Sequence, residues 1–220
     1  VAYHIYHHPM QVEQISTAYT PTMAKNSKGL NMCAYLWRHT SEVKINGELL
    51  KFQVQNRKSG SNILHVTNRL LVPATLRKLI LANADDFSVL RQGINASSNL
   101  SVLLNQPDAN LTFFAPVDQA LDDYLNEENF SLLDTYITKN GIENWENLML
   151  SHMIKGVQAP LQNNSRLFSS VLNNYSLQIV LVNSNLEVKR PSGISARILL
   201  TDIVAYNGSL NTIDAVLKFP

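Results

Sequence analysis

One cysteine in 220 residues, Cys33, leaves the chain without an internal disulfide, so cysteine usage assigns it to neither an oxidising nor a reducing compartment. Long apolar runs are missing as well. The longest uncharged stretches, such as Leu30–Trp37 and Leu177–Val182, fall well short of the ~20 residues a membrane helix needs, so no spanning segment is expected. The first ten residues carry three histidines and a proline in place of the basic start and apolar middle of a signal peptide. There is no Gly-x-Ser-x-Gly, phosphate loop or dinucleotide fingerprint, which removes the usual signatures of hydrolase, nucleotide and dinucleotide chemistry. Charge is sparse at 16%, while 45% of residues are hydrophobic; such a chain buries one large core or two modest ones and is not disordered.

The net charge of +1 hides a split. Residues 1–73 hold 8 Lys plus Arg against 3 Asp plus Glu, whereas 74–220 hold 10 against 14. Opposite signs suit contact between the halves, or two different partners, and solvated faces give the same pattern. The positive residues are scattered and the aromatics sit in apparent core positions, so nucleic acid is not an expected partner. Six acids lie between Asp118 and Asp134, and no Lys or Arg occurs between Arg91 and Lys139. That stretch reads either as a docking face for a cation or basic partner or as a solubilising helix surface. The adjacent pairs Asp85-Asp86, Asp122-Asp123 and Glu127-Glu128 would point to different faces of a helix, which suits them poorly to paired acid and base work.

Other chemistry is thin. Cys33 sits in LNMCAYLW, where a thiol is inert packing. His4, His7 and His8 crowd together, but no Asp, Glu or Cys follows closely enough to complete a metal site, and no metal or other cofactor is expected. Glycosylation sequons speak louder: Asn95, Asn99, Asn110, Asn129, Asn163, Asn174 and Asn207 each open an Asn-x-Ser/Thr. Twenty-four Asn and thirty Ser plus Thr would produce about three by chance, so the seven observed point to the secretory pathway, although Asn- and Ser-rich loops also generate sequons freely.

The periodicity changes at Pro73. Before it, Ala34–His39, Glu42–Ile45 and Leu49–Val54 are short strand-like runs, with Asn46-Gly47 a hairpin signal between the second and third, and Asn62–Val72 reads as a further strand. After it, Leu76, Leu79 and Ile80, then Phe87, Leu90 and Ile94, fall at helical spacing; further helices are expected over 132–139 and 145–154. From Leu167 strands return: 177–182, 186–189, 196–205 and 210–217. Helices first and strands later indicate α+β architecture.

The stretch Leu111–Leu121, LTFFAPVDQAL, is the centre of that second region. Thr112, Phe113 and Phe114 have strand chemistry, and Pro116 ends the ladder. Asp118 is placed to cap a helix whose Leu121 and Leu125 lie four apart, with Asp122 and Asp123 on the wet side. From Thr112 through Ala115-Pro116 to Leu121 the stretch resembles the first signature of the fasciclin-like domain family, Thr-x-Phe-Ala-Pro-Thr-x-x-Ala-Phe. Leu150–Ile154 resembles the family's Tyr-His motif with Ser151 in place of Tyr. Asp202-Ile203, then Asn207-Gly208 through Asp214, then Val216-Leu217 up to Pro220, resembles its closing signature.

An internal repeat accompanies the resemblance. Tyr3-His4-Ile5 aligns with Ser151-His152-Met153, and Ile63–Val66 with Leu210–Ile213. The first copy keeps the family's histidine as His65 and lacks its Gly and Asp; the second keeps Asn207-Gly208 and Asp214 and lacks the histidine. On this reading 1–73 is the C-terminal half of a fasciclin-like domain and 74–220 a complete one. The truncated copy would leave a strand surface uncovered, to be completed by more of a longer protein or by another chain.

The resemblance implies a wedge of two β-sheets with N-terminal helices, His4 and His152 as core polar residues joining helix to sheet, and no catalysis. It implies tandem domains of a secreted or membrane-anchored glycoprotein that contact matrix, cell-surface receptors or neighbouring fasciclin domains. Some members bind integrins through an Asp-Ile pair, which here is Asp202-Ile203; the competing reading makes Ile203 core and Asp202 a turn cap. Two alternatives stand beside adhesion: a vacuolar or lysosomal lumen role in tethering, membrane fusion or ligand uptake, and, more remotely, hydrolysis involving Cys33 or His152.

Overall fold

The structure, a computed structural model, describes residues 1–218 apart from 132–134, 137, 158, 163 and 173–174, and of 164–166 only the backbone. Strands β1 (Ala18–Lys25), β2 (Asn31–His39), β3 (Glu42–Ile45) and β4 (Glu48–Leu49) form an antiparallel meander. One of its two-residue turns is Asn46-Gly47, at φ +52° and +80°, the left-handed pair that a hairpin of this twist demands. The run expected over 49–54 is split: β4 ends at Leu49, and β5 (Phe52–Ser59) pairs with β6 (Asn62–Thr67) as a separate two-stranded sheet. β6 stops well before the expected Val72, because Asn68 folds back onto Lys51 with a hydrogen bond in each direction, Asn68 N to Lys51 O and Lys51 N to Asn68 Oδ1.

The helices after Pro73 cover one side of a larger sheet. Helix α1 (Leu76–Ala82) is capped by Thr75 and buries Leu76, Leu79 and Ile80; α2 (Ser88–Ala96) buries Leu90 and Ile94. A third helix, α3 (Ser98–Asn105), was not expected, although Leu100, Leu103 and Leu104 fall at helical spacing; the Ser97 hydroxyl starts it by accepting from Leu100 N. In α4 (Asp118–Glu127), Leu121 and Leu125 face the core with Asp122 and Asp123 outside, as the spacing requires. Asp118, however, does not cap its own helix. Its carboxylate accepts from Ser88 N (2.6 Å) and Val89 N (2.8 Å), closing the N-terminus of α2, whose own cap position, Phe87, has no side-chain acceptor. Helix α5 (Lys139–Ser151) starts earlier than expected, behind a Thr138 cap, and ends at Ser151, so that Met153–Lys155 is strand β8 and not a last helical turn. Of the helix expected over 132–139, residues 132–134 and 137 lie outside the described residues, while 135–136 are helical and Lys139 already belongs to α5.

Strands β7 (Leu111–Pro116), β8, β9 (Asn164–Ser169), β10 (Ser176–Val182), β11 (Asn185–Lys189), β12 (Ser195–Val204) and β13 (Gly208–Ile213) form one sheet ordered β8-β7-β13-β12-β11-β10-β9. Only β13 and β7 run parallel among the paired strands. The two edges meet at an Ile154–Ser170 bridge, so the sheet curls almost into a barrel. β7 is buried on both faces: Phe113 packs toward the helices and Phe114 into the curl, each 0% exposed. Cys33 and Tyr35 of β2 join the helix-side core, so the two regions share apolar packing.

The two regions also share a register. β5 and β6 pair Phe52–Thr67, Val54–Val66, Arg57–Leu64 and Lys58–Ile63; β12 and β13 pair Ile198–Ile213, Leu200–Thr212, Ile203–Leu210 and Val204–Ser209. Every partner is displaced by 146 residues, and both interruptions of the ladder recur at the same places. The bridge Tyr6–Thr22 likewise matches Ile154–Ser170 at 148.

Candidate interaction site at the β12 bulge

The second ladder interruption lifts Asp202 out of the β12 pairing at φ +61°, as the first copy does with Asn56 at φ +55°. Left-handed backbone is unfavourable for a side-chain-bearing residue except where a short polar side chain bonds locally, and both residues do this. Asp202 N donates to Asn211 Oδ1 (2.9 Å) and its Oδ1 accepts from Leu161 N (2.7 Å). Asn56 N donates to His65 Nδ1 (3.3 Å) and its Oδ1 accepts from Val12 N (2.8 Å). His65 and Asn211 therefore perform one task with different side chains, which is why the motif looks degenerate in both copies. Ile203, 3% exposed, packs into the helix-side core, and Asp202 is half-buried. What the bulge offers to solvent is the preceding run Leu199, Leu200 and Thr201, the leucines being 42% and 48% exposed.

Beside that run lies a cleft of about 460 Å³ between the two regions, walled by Tyr19 and Tyr35 and rimmed by Asp85, Asp86, Leu200 and Thr201. The tyrosine rings pack at 4.8 Å, tilted by 52°. Tyr19 Oη donates to Leu79 O and Tyr35 Oη to Asn83 Oδ1; Asn83 Nδ2 in turn donates to Asp86 Oδ2. Burial holds both phenols protonated: Tyr19 is raised well above the ordinary range, and Tyr35 is pushed up to about 12, with the neighbouring aspartates adding to the effect. The cleft thus has neutral aromatic walls and an acidic lip. Sequence reasoning did not find it, since its residues come from 17–19, 35, 83–86 and 200–203 and share no spacing.

His152 is fully buried and uses both ring nitrogens: Nδ1 donates to Leu148 O (2.8 Å) and Nε2 accepts from Leu217 N (2.9 Å). It ties the end of α5 to the segment after β13. That arrangement needs the neutral ring, and burial, aided by Arg190, lowers its pKa to about 4. His4 repeats one arm of the clamp, its Nε2 accepting from Leu71 N (2.9 Å) while its Nδ1 has no protein partner. Tyr3 Oη donates to Cys33 O and accepts from Asn46 Nδ2; at the matching place the shorter Ser151 is reached by buried Arg190, whose Nη2 donates to Ser151 Oγ (2.6 Å). Cys33 is buried, its thiol pushed up by desolvation. His7 Nε2 lies 3.1 Å from Asn31 Nδ2, apart from His4 and its Leu71 contact.

The closing motif is structural at each position. Asn207 accepts from Leu76 N (2.8 Å) and donates to Leu104 O and Gln106 O. As a sugar acceptor it is therefore corrected: its Nδ2, the atom a glycan would join, is bonded inside a residue 3% exposed. Asn95, Asn99, Asn110 and Asn129 are exposed, and Asn163 and Asn174 lie outside the described residues. Gly208 is needed for close approach, since a Cβ there would lie 2.4 Å from Leu111 O. Asp214 accepts from Arg197 N (2.8 Å), as Asn68 accepts from Lys51 N (3.1 Å). Pro116 ends β7 with Ile213 as its register partner.

A family model of the fasciclin domain matches residues 85–220. A FAS1 domain pair from the insect cell adhesion molecule fasciclin I is similar in structure, with a TM-score of 0.60 at 13% identity over 96% of this chain and 76% of that one. No curated protein matches the sequence. With its strand-proline-helix centre, its buried histidine clamp and its closing motif all inside the matched span, the chain belongs to the fasciclin domain family.

Proposed function

We propose that the chain is a non-catalytic adhesion and interaction module of a larger secreted or membrane-anchored glycoprotein, binding protein partners across the surface where its two regions meet. Fasciclin domains mediate protein interactions, occur in extracellular or cell-surface proteins and are generally non-catalytic. The observation that carries the reading is the β12 bulge, which is braced from behind by Asn211 and Leu161 and presents Leu199, Leu200 and Thr201 beside an acidic cleft. Apolar side chains on a rigid bulge with an aromatic, acid-lipped cleft suit a partner loop carrying an aliphatic anchor and a Lys or Arg. Asp202-Ile203 serves this surface by setting the bulge, with Asp202 at its margin. Residues 1–73 act as the C-terminal half of one fasciclin unit and 74–220 as the next, and the exposed sequons at Asn95, Asn99, Asn110 and Asn129 carry sugar.

The neutral clamp at His152 favours a neutral compartment over an acidic vacuolar or lysosomal lumen, because its contribution to stability declines as pH falls below the free value of 6.5 toward about 4. A hydrolase would need Cys33 or His152 in reach of substrate, and both are buried. The test is cell and matrix adhesion to surfaces coated with the chain. Leu199→Ser with Leu200→Ser should abolish adhesion while the melting temperature stays within a few degrees; unchanged adhesion would reject this surface.

A further inference from the structure

The chain holds three Asn-Gly pairs: Asn46-Gly47, Asn140-Gly141 and Asn207-Gly208. Glycine has no side chain to shield its amide nitrogen, so that nitrogen can reach the carboxamide carbon of a preceding asparagine wherever both groups are free to turn. Two of the pairs are held. Asn46 is buried, its Oδ1 accepting from Tyr35 N (2.9 Å) and its Nδ2 donating to Tyr3 Oη (3.0 Å). Asn207 is also buried, fixed at Oδ1 by Leu76 N and at Nδ2 by Leu104 O and Gln106 O. Asn140 stands apart from both. It is exposed in the first turn of α5, and among the described residues its carboxamide makes no hydrogen bond. Gly141 N is one of the amides at a helix start that no carbonyl of the helix can reach; it donates instead to the Thr138 hydroxyl (3.0 Å). Terminal turns open far more readily than helix interiors, and each opening sets this nitrogen free beside a carboxamide that is already loose.

We propose that Asn140 is a site of spontaneous deamidation gated by the Thr138 cap. Once the cap opens, Gly141 N attacks Asn140 Cγ and the new N–Cγ bond closes a cyclic imide. The Cγ–Nδ2 bond breaks, and ammonia leaves with Nδ2 and the hydrogen that Gly141 N gave up. Water then reopens the ring. Cleavage of the new bond leaves an aspartate at position 140; cleavage of the original peptide bond leaves isoaspartate, with the main chain rerouted through the former side chain. One water enters, one ammonia departs, and nothing is oxidised or reduced. The two products act differently on α5. Its first turn carries no acid, so an aspartate at position 140 places negative charge where the helix dipole favours it. Isoaspartate adds a main-chain methylene and cannot keep the turn that Thr138 caps. Asn140 borders a cavity of about 250 Å³ together with Tyr124, Leu125, Phe130 and Trp145, so either product sets a new charge on the rim of an aromatic pocket. The site is independent of the adhesion reading.

The experiment holds the full chain for weeks at neutral pH in water enriched in heavy oxygen, then digests it in ordinary water and maps the peptides by mass spectrometry. Electron-transfer fragmentation separates aspartate from isoaspartate, and a parallel sample in concentrated urea gives the rate of each pair in the unfolded chain. In the folded chain Asn140 should lose its amide and take up label at a rate within tenfold of its unfolded one, whereas Asn46 and Asn207 should react at least a hundredfold more slowly folded than unfolded. Thr138→Ala should speed the reaction at Asn140 at least threefold, Thr138→Ser should restore the native rate, and Gly141→Ala should slow it at least tenfold. Protection of Asn140 equal to that of Asn46 and Asn207, or a rate in Thr138→Ala equal to the native one, overturns the proposal.

Discussion

Two closing hairpins of one register live in opposite surroundings. β5–β6 and β12–β13 share four partner pairs at a displacement of 146, both bulges, and a left-handed residue whose side chain is braced from a neighbouring loop. Yet β13 is buried throughout and β6 is half-exposed. Register and bulges are therefore set within the hairpin by its own turn and its Asn, Asp and His bonds, while burial is conferred by what is laid alongside. Small polar residues can exchange within the first set, as Asn68 for Asp214 and His65 for Asn211 show, because each exchange preserves an acceptor at one point.

The histidine clamps divide the copies most sharply. His152→Ala leaves a buried amide and a buried carbonyl without partners and opens a cavity, so denaturant unfolding should show a loss of about 4 kcal/mol; His4→Ala, half-exposed, should lose about 1 kcal/mol. Comparable losses would mean the two clamps are not differently buried. Acidification tests the same contrast. With a folded pKa near 4 against 6.5 for the free side chain, the unfolded chain binds the proton more readily between those values. The His152 contribution is therefore complete above about pH 6.5, falls as pH drops, and amounts to roughly 3 kcal/mol lost by pH 4, a dependence that His152→Ala should remove.

The residue at the head of each second strand comes next. Gly208→Ala forces a Cβ against Leu111 O and the Leu76 side chain and should cost about 2 kcal/mol in thermal or denaturant unfolding, whereas Asn62→Gly at the open edge should change stability by less than about 1 kcal/mol. Asp118→Ala probes the link between α4 and α2 in the second region: loss of the α2 cap should cost about 1–2 kcal/mol. Smallest of all, Asp214→Asn makes the second hairpin resemble the first. Because the bond from Arg197 N survives and only an exposed ion pair is lost, the change should stay under about 0.5 kcal/mol, and a larger one would show that the two caps are not equivalent.

Much of this was legible along the chain because it depends on short-range rules. Asn46-Gly47 marks its hairpin through φ alone, and Phe113-Phe114 before Ala115-Pro116 marks a doubly buried strand that must stop. α3 escaped notice although Leu100, Leu103 and Leu104 fall at helical spacing, and the Ser97 cap three residues before Leu100 was a second available signal. Asp118 was legible as a cap, but its recipient was not, since the amides it serves lie 29 and 30 residues upstream. The junction cleft had no signal at all.

The amino-acid sequence by itself determined family, order of motifs, a near-constant repeat spacing and the strand-proline-helix centre, since each follows from periodicity, backbone preference or residue type within about ten positions. Tertiary structure alone decided that the Asn207 sequon is closed while four others are open, that Ile203 is core and Leu199-Leu200 surface, and that β6 ends as an edge. Those outcomes turn on which distant elements meet, and burial of one residue is a property of its neighbours in space, which no local pattern encodes.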